Sequence, residues 1–529
     1  MPGWEGTMKK LAAVVATVAL LAIGRVEAQE IVLGMSSTVT SVDPHFHNHT
    51  PNTNLSAHVF DTLVMQDELQ RLIPGLATQW RAVNDTTWEF KLRPGVKFHD
   101  GSEFGAEDVA ATIRRVPKVP NSPSSFVAFV KPIVETVVVD PLTIVFKTAT
   151  PYPLLPNDLS SVWIVSRKHE NAPTADFNSG AAAAGTGPFK LVEWVSGDRA
   201  VLARNDAYWG EKPHWAKATL RQMTNSGARV AALLAGDVPF IEAVPTTDVA
   251  RLRANPNVAI AEAISSRVVF LHIDSFRDQT PFATDKSGAP LAKNPLKDRR
   301  VRQALSKAID RPAIVERLME GVAVPAGGIL TDGFFGSSPN LKPERYDPEG
   351  AKALLAQAGY PNGFALTVHG PNDRYVNDAK ILQAVAAMWT RIGIDTKVVT
   401  EPWSVFAGAA SAPRYSYSVV FVGWGTNTGE ASSPLRALLA TVDPATGMGP
   451  SNRGRYSNPD FDRTLKEALA TVDDARREKL LQQATEIAMG DYGLIPLHYQ
   501  VAVWGMRKGL TYKARADEYS YAHQIRPAR

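Results

Sequence analysis

Three histidines alternate with other residues in Asp43-Pro44-His45-Phe46-His47-Asn48-His49. On an extended segment His45, His47 and His49 would share one side, a spacing able to hold nickel, copper or zinc. Pro44 and Pro51 work against a regular strand there, and histidines in polar loops are more often surface hydrogen-bonding groups, so no metal is assigned. A second group is Arg374, with Tyr375 beside it, in Gly370-Pro371-Asn372-Asp373-Arg374-Tyr375, between an apolar stretch at 365–368 and a helical stretch carrying Ile381. Loops at the carboxyl ends of strands are where α/β sheets place ligands, and a guanidinium is the natural bidentate partner of a carboxylate. A third is the apolar run 420–424, which opens into the polar loop Gly425-Thr426-Asn427-Thr428-Gly429-Glu430. Trp424 there, and Trp403 in Thr400-Glu401-Pro402-Trp403, offer flat walls that bury area without demanding a hydrogen-bond pattern; core packing is the alternative for both.

Catalytic signatures do not accompany these groups. The sequence has no Gly-x-Ser-x-Gly elbow, no His-Glu-x-x-His pair and no Walker loop, and Gly185-Thr186-Gly187 lacks the spacing of a nucleotide loop. With no cysteine there is no disulfide, thiolate metal site or thiol nucleophile, and no lipid-modified amino-terminal cysteine. No cofactor is expected. The 529 residues carry 57 basic and 53 acidic side chains, a balance that gives no reason to expect nucleic acid as a partner.

The chain opens with Lys9-Lys10, an apolar run at 11–23 and Val26-Glu27-Ala28. That is a charged region, an apolar core too short to span a bilayer and a small-residue exit site, so 1–28 is read as a signal peptide cleaved before Gln29. A soluble periplasmic protein is the expectation.

The elements that must position the candidate groups can be read from periodicity. Trp88, Phe90 and Leu92 alternate as a half-buried strand, Pro94-Gly95 makes a turn, and Val96 and Phe98 read as a second strand ending at Asp100-Gly101. Ala106-Glu107-Asp108 then opens a helix with acid in its first turn. Strands are expected at 31–35, 191–194, 200–204 and 268–273, with a hairpin at 133–146 broken by Asp140-Pro141. Helices are expected at 54–62, at 227–234 with a stop at Gly236, from Pro295 to before Asp310, at 348–358, at 379–391, and as a pair over 459–489. Strands and helices alternate, which is an α/β architecture, and the length exceeds what one core supports.

Several of these segments, in this order, resemble the family 5 extracytoplasmic solute-binding proteins of peptide, nickel and opine ABC importers. The phrases are the 84–115 stretch, Gly185-Thr186-Gly187-Pro188-Phe189, Arg204-Asn205-Asp206-Ala207-Tyr208-Trp209-Gly210, Asp298-Arg299-Arg300-Val301-Arg302-Gln303-Ala304-Leu305 and Ala358-Gly359-Tyr360-Pro361-Asn362-Gly363. The resemblance runs from about residue 31 to 504. It implies a two-lobed periplasmic binding protein of type II, cluster C kind, with a hinge and an extra inserted domain. Lobe one is expected at 29–61, 185–273 and 497–529, the insert at 62–184 and lobe two at 274–496. A monomer closing near Ile273 and Leu497 on a short peptide or peptide-like carboxylate, then docking on the transmembrane subunits of an ABC permease, is the implied function. A nickel, metal-chelate or opine receptor is the alternative, and a secreted peptide hydrolase a weaker one, since no nucleophile and base pair is recognisable.

The resemblance also assigns residues. Arg374 matches the arginine that holds the ligand's terminal carboxylate in dipeptide-binding members, and Ser37 and Asn54 are expected on the lobe-one face of the cleft. In peptide-binding members the loop after the Gly-Trp pair carries an aspartate for the ligand's free α-amino group; the matching position here is Asn427. A neutral amide offers no charge to offset desolvation of a buried cation. Either Glu430, three residues on, holds the amine, or the ligand has no such amine. The second is the expectation, because a shift of three residues would redraw the loop.

Overall fold

The computed structural model describes residues 30–426 and 428–528. The segment read as a signal peptide, 1–28, and Asn427 lie outside them. Among the described residues no helix is long and apolar enough to cross a membrane.

Two long strands, Val258–Ile273 and Ile495–Arg507, form the spine of a mixed sheet. They run antiparallel from the pair Val258 and Arg507 to the pair Leu271 and Ile495, and their register slips between Ile264 and Val268. On one side of the slip the sheet continues through Phe240–Ile241 to the first strand, Glu30–Met35, and on through Lys217–Gln222, Arg199–Arg204 and Phe189–Val195. On the other side it continues through Val419–Gly425 to Ala365–Pro371 and Asp395–Glu401. Each half has its own apolar core. Phe60, Phe177, Phe189 and Trp504 pack in the first, while Phe364, Trp389 and Phe421 pack on one face of the second and Phe270, Tyr456 and Phe461 on the other. The sheet is one, yet its halves bury separate clusters and share only the two spine strands.

A second unit lies between the first helix and the strand at 189–195. It is a four-stranded antiparallel sheet in the order Ala77–Asn84, Thr87–Leu92, Thr143–Thr148, Ile133–Asp140. The alternation of Trp88, Phe90 and Leu92 puts all three in its core, with Phe90 and Phe146 edge to face at 5.5 Å. Each such ring contributes about 1.5–3 kcal/mol by burial. The expected hairpin from 88 to 98 does not form: the Thr87–Leu92 strand pairs instead with the strands at 77–84 and 143–148. Val96 and Phe98 are buried in a tight loop closed by Phe98 N–H on the Ser102 carbonyl (2.8 Å) and Phe104 N–H on the Val96 carbonyl (3.0 Å). The Pro94-Gly95 turn steers the chain away from its predecessor, and His99 N–H bonds the Gly185 carbonyl at 2.8 Å. The next helix, Ala106–Arg115, is capped by Asp108, which accepts Gly105 N–H at 2.9 Å.

The first helix is Thr50–Val59, four residues earlier than the 54–62 expected, with Pro51 in its first turn, where no N–H is needed. Before it, His45 is not on an extended segment. Asp43 and Pro44 make a turn, with Phe46 N–H on the Asp43 carbonyl (3.2 Å) and His45 N–H on the Asp43 carboxylate (3.0 Å). Arg115 grips Asp43 bidentately at 2.9 and 2.7 Å and donates to His45 Nδ1 at 2.8 Å, while His45 Nε2–H donates to the Trp163 carbonyl at 2.8 Å. Burial first, then the Arg115 charge, lowers His45 to about 4, so the ring is neutral. The expected shared side of the three histidines is lost because His45 serves this buried ion pair, whereas His47 and His49 stack on each other at 4.9 Å.

The loop 426–430 packs on the four-stranded unit and its flank. Gln70 donates to the Thr426 carbonyl and Asn157 to the Thr428 carbonyl, each at 2.9 Å. Gly429, at φ +69°, lies so close to Gln70 that a Cβ would sit 2.3 Å from the Gln70 carbonyl oxygen.

Two stability outcomes follow from these contacts. Arg115→Ala leaves Asp43 buried and unpaired and is expected to cost about 3–5 kcal/mol, read as a lowered urea midpoint; a change below about 1 kcal/mol would show the pair to be dispensable. Gly429→Ala forces backbone apart at a positive φ and is expected to cost about 1–3 kcal/mol, seen as a lower melting temperature, whereas an unchanged melt would contradict the close approach.

Candidate functional site

The register slip in the spine opens the sheet where its halves meet, and a cavity of about 440 Å³ sits there. Its walls come from both halves. The first strand ends into Ser36 and Ser37, the first helix begins with His49 and Thr50 and carries Asn54, and the short strand Phe240–Ile241 leads into Glu242. The opposite wall is Met319, Val322 and the loop after Ala365–Pro371, with Arg374, Val376 and Asn377. The floor is Arg267 and residues 500–504 of the spine, with Glu518 from the carboxyl-terminal segment.

Arg267 lies at the slip itself, just before the buried run that begins at Val268. It donates through Nε and Nη2 to the two oxygens of Glu518 at 3.3 Å, and Ser265 Oγ–H adds a bond to the same carboxylate at 2.7 Å. Burial acts to raise Glu518, but Arg267, these bonds and the charge of Arg374 hold it below the usual carboxylate range. Glu518 sits at φ +66°, a conformation that costs an L side chain about 1–2 kcal/mol and that these bonds offset.

Glu242 is held differently. Its Oε1 accepts Ser36 N–H and Ser36 Oγ–H, each at 2.8 Å, and its Oε2 accepts Ser520 Oγ–H at 2.7 Å. Three donors thus fix a carboxylate against the cavity, and among the described residues no lysine or arginine forms an ion pair with it.

Arg374 faces the cavity from an exposed loop that is firmly fixed. Its own N–H and that of Tyr375 donate to the Asp378 carboxylate at 3.0 and 3.1 Å, and Tyr375 Oη–H donates to the Gly423 carbonyl at 3.1 Å. The guanidinium carbon stands 5.5 Å from the Tyr375 ring centre and 5.7 Å from that of Trp403. Among the described residues no carboxylate pairs with it. Its charge reaches His49 across the cavity, where burial first, then His47 and Arg374, lower the imidazole below its usual range.

The sequence candidates therefore divide. Arg374, Ser37 and Asn54 line the cavity together, and Asn54 also accepts Ser520 N–H at 3.3 Å. Tyr375 and Trp403 stand behind Arg374 as supports. Trp424 is paired opposite Val268 in the sheet and packs against the second half's core without lining the cavity. Glu430 is 1% exposed, ion-paired with Arg477 and bonded to Ser432, and it does not line the cavity either. His49 lines it, His47 does not, and His45 is committed to Arg115. Among the described residues no group of three histidine, cysteine, aspartate or glutamate side chains is placed to hold a metal ion. Reading the sequence missed Glu242, Arg267 and Glu518. Arg267 left one trace, a charge set directly before an apolar run; the other two have no local signal.

The arrangement suits a small polar ligand with charges of both signs, bound between two walls. Residues 71–445 match the model of the bacterial extracellular solute-binding proteins, family 5, middle region. The glutathione-binding protein GsiB of Pectobacterium atrosepticum is 30% identical over 500 residues, covering 94% of this chain and 93% of that protein. Among solved structures, HbpA2 from Haemophilus parasuis superposes with a TM-score of 0.80 at 22% identity, covering 94% of this chain and all of that one. The periplasmic binding protein DppA from Helicobacter pylori, in complex with the peptide STSA, superposes with a TM-score of 0.74 at 24% identity, covering 94% and 98%. These structural likenesses establish the two-lobed binding-protein fold. Family 5 binding proteins bind peptides or other small ligands and deliver them to ABC permease subunits. With the fold, the cavity between its halves and the family match in agreement, the chain belongs to the family 5 bacterial extracellular solute-binding proteins.

Proposed function

We propose that the ligand of this receptor is a short peptide or a peptide-like carboxylate, held at its carboxylate by Arg374 and enclosed when the two halves close. The observation that carries this reading is the guanidinium itself. It is fixed by its loop, backed by Tyr375 and Trp403, turned to a cavity that both halves line, and without a carboxylate partner among the described residues. The glutathione-binding relatives, whose ligand is a carboxylate-bearing tripeptide, support the same class.

Closure is a hinge motion in this reading. The spine strands are the sheet links between the halves, and the slip at 264–268, opposite Gln500, is the point of least regular pairing. The lobes are then 29–61, 185 to about 266 and about 500–529 for the first, and about 267–499 for the second, with 62–184 inserted. The hinge lies a few residues inside the limits at 273 and 497 expected from sequence. A ligand touching both walls favours the closed state by the difference in its contacts to the two states. The segment 1–28 is removed on export, the mature protein works in the periplasm as a monomer, and it binds its solute without turning it over.

Arg374→Ala is expected to weaken a carboxylate ligand by about 2–4 kcal/mol in isothermal titration, with an unchanged melting temperature for the empty protein. Arg374→Lys is expected to recover only part of the loss, because an ammonium lacks the planar fork. Affinity unchanged by Arg374→Ala would remove the arginine from the site and with it this reading.

A further inference from the structure

We infer that Glu242 is the recognition site for a ligand ammonium group, so that the solute is a zwitterion with its free amine on the lobe-one wall and its carboxylate on Arg374. This deepens the proposed function and rests on it for the carboxylate end.

Three carboxylate or guanidinium groups besides Glu242 face the cavity: Arg267, Arg374 and Glu518. Arg267 and Glu518 neutralise each other on its floor. That leaves Arg374 on one wall and Glu242 on the other, each without an ion-pair partner among the described residues. The cation nearest in charge to Glu242 is Arg229, but its guanidinium is spent on backbone: Nε on the Glu242 carbonyl (3.3 Å), Nη1 on those of Met223 (2.6 Å) and Thr224 (3.1 Å), and Nη2 on that of Ala243 (3.0 Å). Arg229 shapes the loop that presents Glu242 and acts on its carboxylate through space, but forms no ion pair with it, so a direct cationic partner is still lacking.

The carboxylate is also built for one more bond. An ionised carboxylate offers about four acceptor positions. Ser36 fills two on Oε1, and Ser520 fills one on Oε2. Ser520 has no freedom to turn away, since its oxygen already accepts the indole N–H of Trp504 at 2.8 Å and its single hydrogen is directed to Glu242. One position on Oε2 remains, on a residue that lines the cavity. A ligand N–H from an ammonium fills it and supplies the missing positive charge, which is a charge-assisted bond of the stronger kind. An amide, hydroxyl or carboxylate in that place would supply no charge, and a carboxylate would repel.

The reading gives a physical meaning to Asn427. A neutral residue at position 427 does not require an amine-free ligand if an acid elsewhere, Glu242, lines the cavity. Glu430, the nearer substitute along the chain, is already consumed by Arg477 and Ser432. The two ligand charges would then sit on opposite walls, which also touch directly where Asn377 Nδ2–H donates to Thr246 Oγ1 at 3.4 Å, so one zwitterion would bridge both halves.

The test is a set of titrations of the mature full-length protein with glutathione, dipeptides and tripeptides, each beside its N-acetylated counterpart. The expected result is that free-amine ligands bind and that Glu242→Gln weakens them by roughly 10- to 100-fold, while the weaker binding of the acetylated forms is unchanged by the substitution. A merely structural role for Glu242 predicts equal losses for both sets and a lower melting temperature, and that result would overturn the inference. Should Glu242→Gln fail to fold, the unsubstituted protein decides: acetylated ligands binding as tightly as free ones overturn the inference, and a loss on acetylation supports it. Arg374→Ala separates the two readings, since it is expected to weaken free and acetylated ligands alike. If Arg374→Ala has no effect while Glu242→Gln discriminates, the ammonium site stands and the carboxylate anchor falls. If no member of either set binds, the peptide-like reading fails and the ammonium site with it.

Discussion

The ion pair between Arg267 and Glu518 is the constraint on which the cavity depends. Arg267 projects from the spine at the point where pairing slips, and an unpaired guanidinium there would cost several kcal/mol. Glu518 answers it from 251 residues away, in a backbone conformation that a side chain rarely adopts. Fixing Glu518 brings the carboxyl-terminal segment over the floor of the cavity. Two residues on, Ser520 bonds Glu242, and Glu242 bonds Ser36 at the end of the first strand. One charge at the slip therefore organises three distant segments into one polar wall.

The opposite wall is organised locally. Asp378 at the start of a helix holds the backbone of Arg374 and Tyr375, Asn377 reaches the Leu318 carbonyl at 2.7 Å, and Tyr375 ties the loop to the strand at Gly423. The wall carrying Arg374 is thus rigid before any ligand arrives. Each wall is preorganised within itself, so closure moves the walls as bodies and little side-chain ordering is needed inside either one.

This contrast explains what the sequence revealed. Arg374 was legible because the chemistry that presents it, a strand, a polar turn and a helix start, lies within a dozen residues. The spine strand at 268–273, the strands around Phe189 and Arg199, and the helices at 348–357 and 459–490 were legible through periodicity and their glycine or proline stops. Glu242, Arg267 and Glu518 were not, because only the topology of the sheet brings them together. Glu430 seemed a free acid in a polar loop; its partner Arg477 lies 47 residues on, in a helix that packs the loop shut. His45 seemed one of three available imidazoles, and Arg115, 70 residues on, takes it out of reach. Val96 and Phe98 alternate as a strand does, yet the strand at 87–92 already has a neighbour on each edge, so the alternation serves burial in a loop.

The central claim is that solute binding draws the two walls together. The chain has no cysteine, so two can be introduced without background: Arg251→Cys, in the helix Thr246–Arg253, and Lys380→Cys, in the helix Asp378–Arg391 that follows Arg374. Both positions are exposed, on helices from opposite halves whose starts lie at the cavity residues Thr246 and Asn377. The measurement is the distance distribution between spin labels at these sites, by pulsed electron paramagnetic resonance, without and with a saturating peptide ligand. The account predicts a shift of the whole distribution to shorter distance on binding, reversed when the ligand is removed. Saturable binding with an unchanged distribution would contradict it.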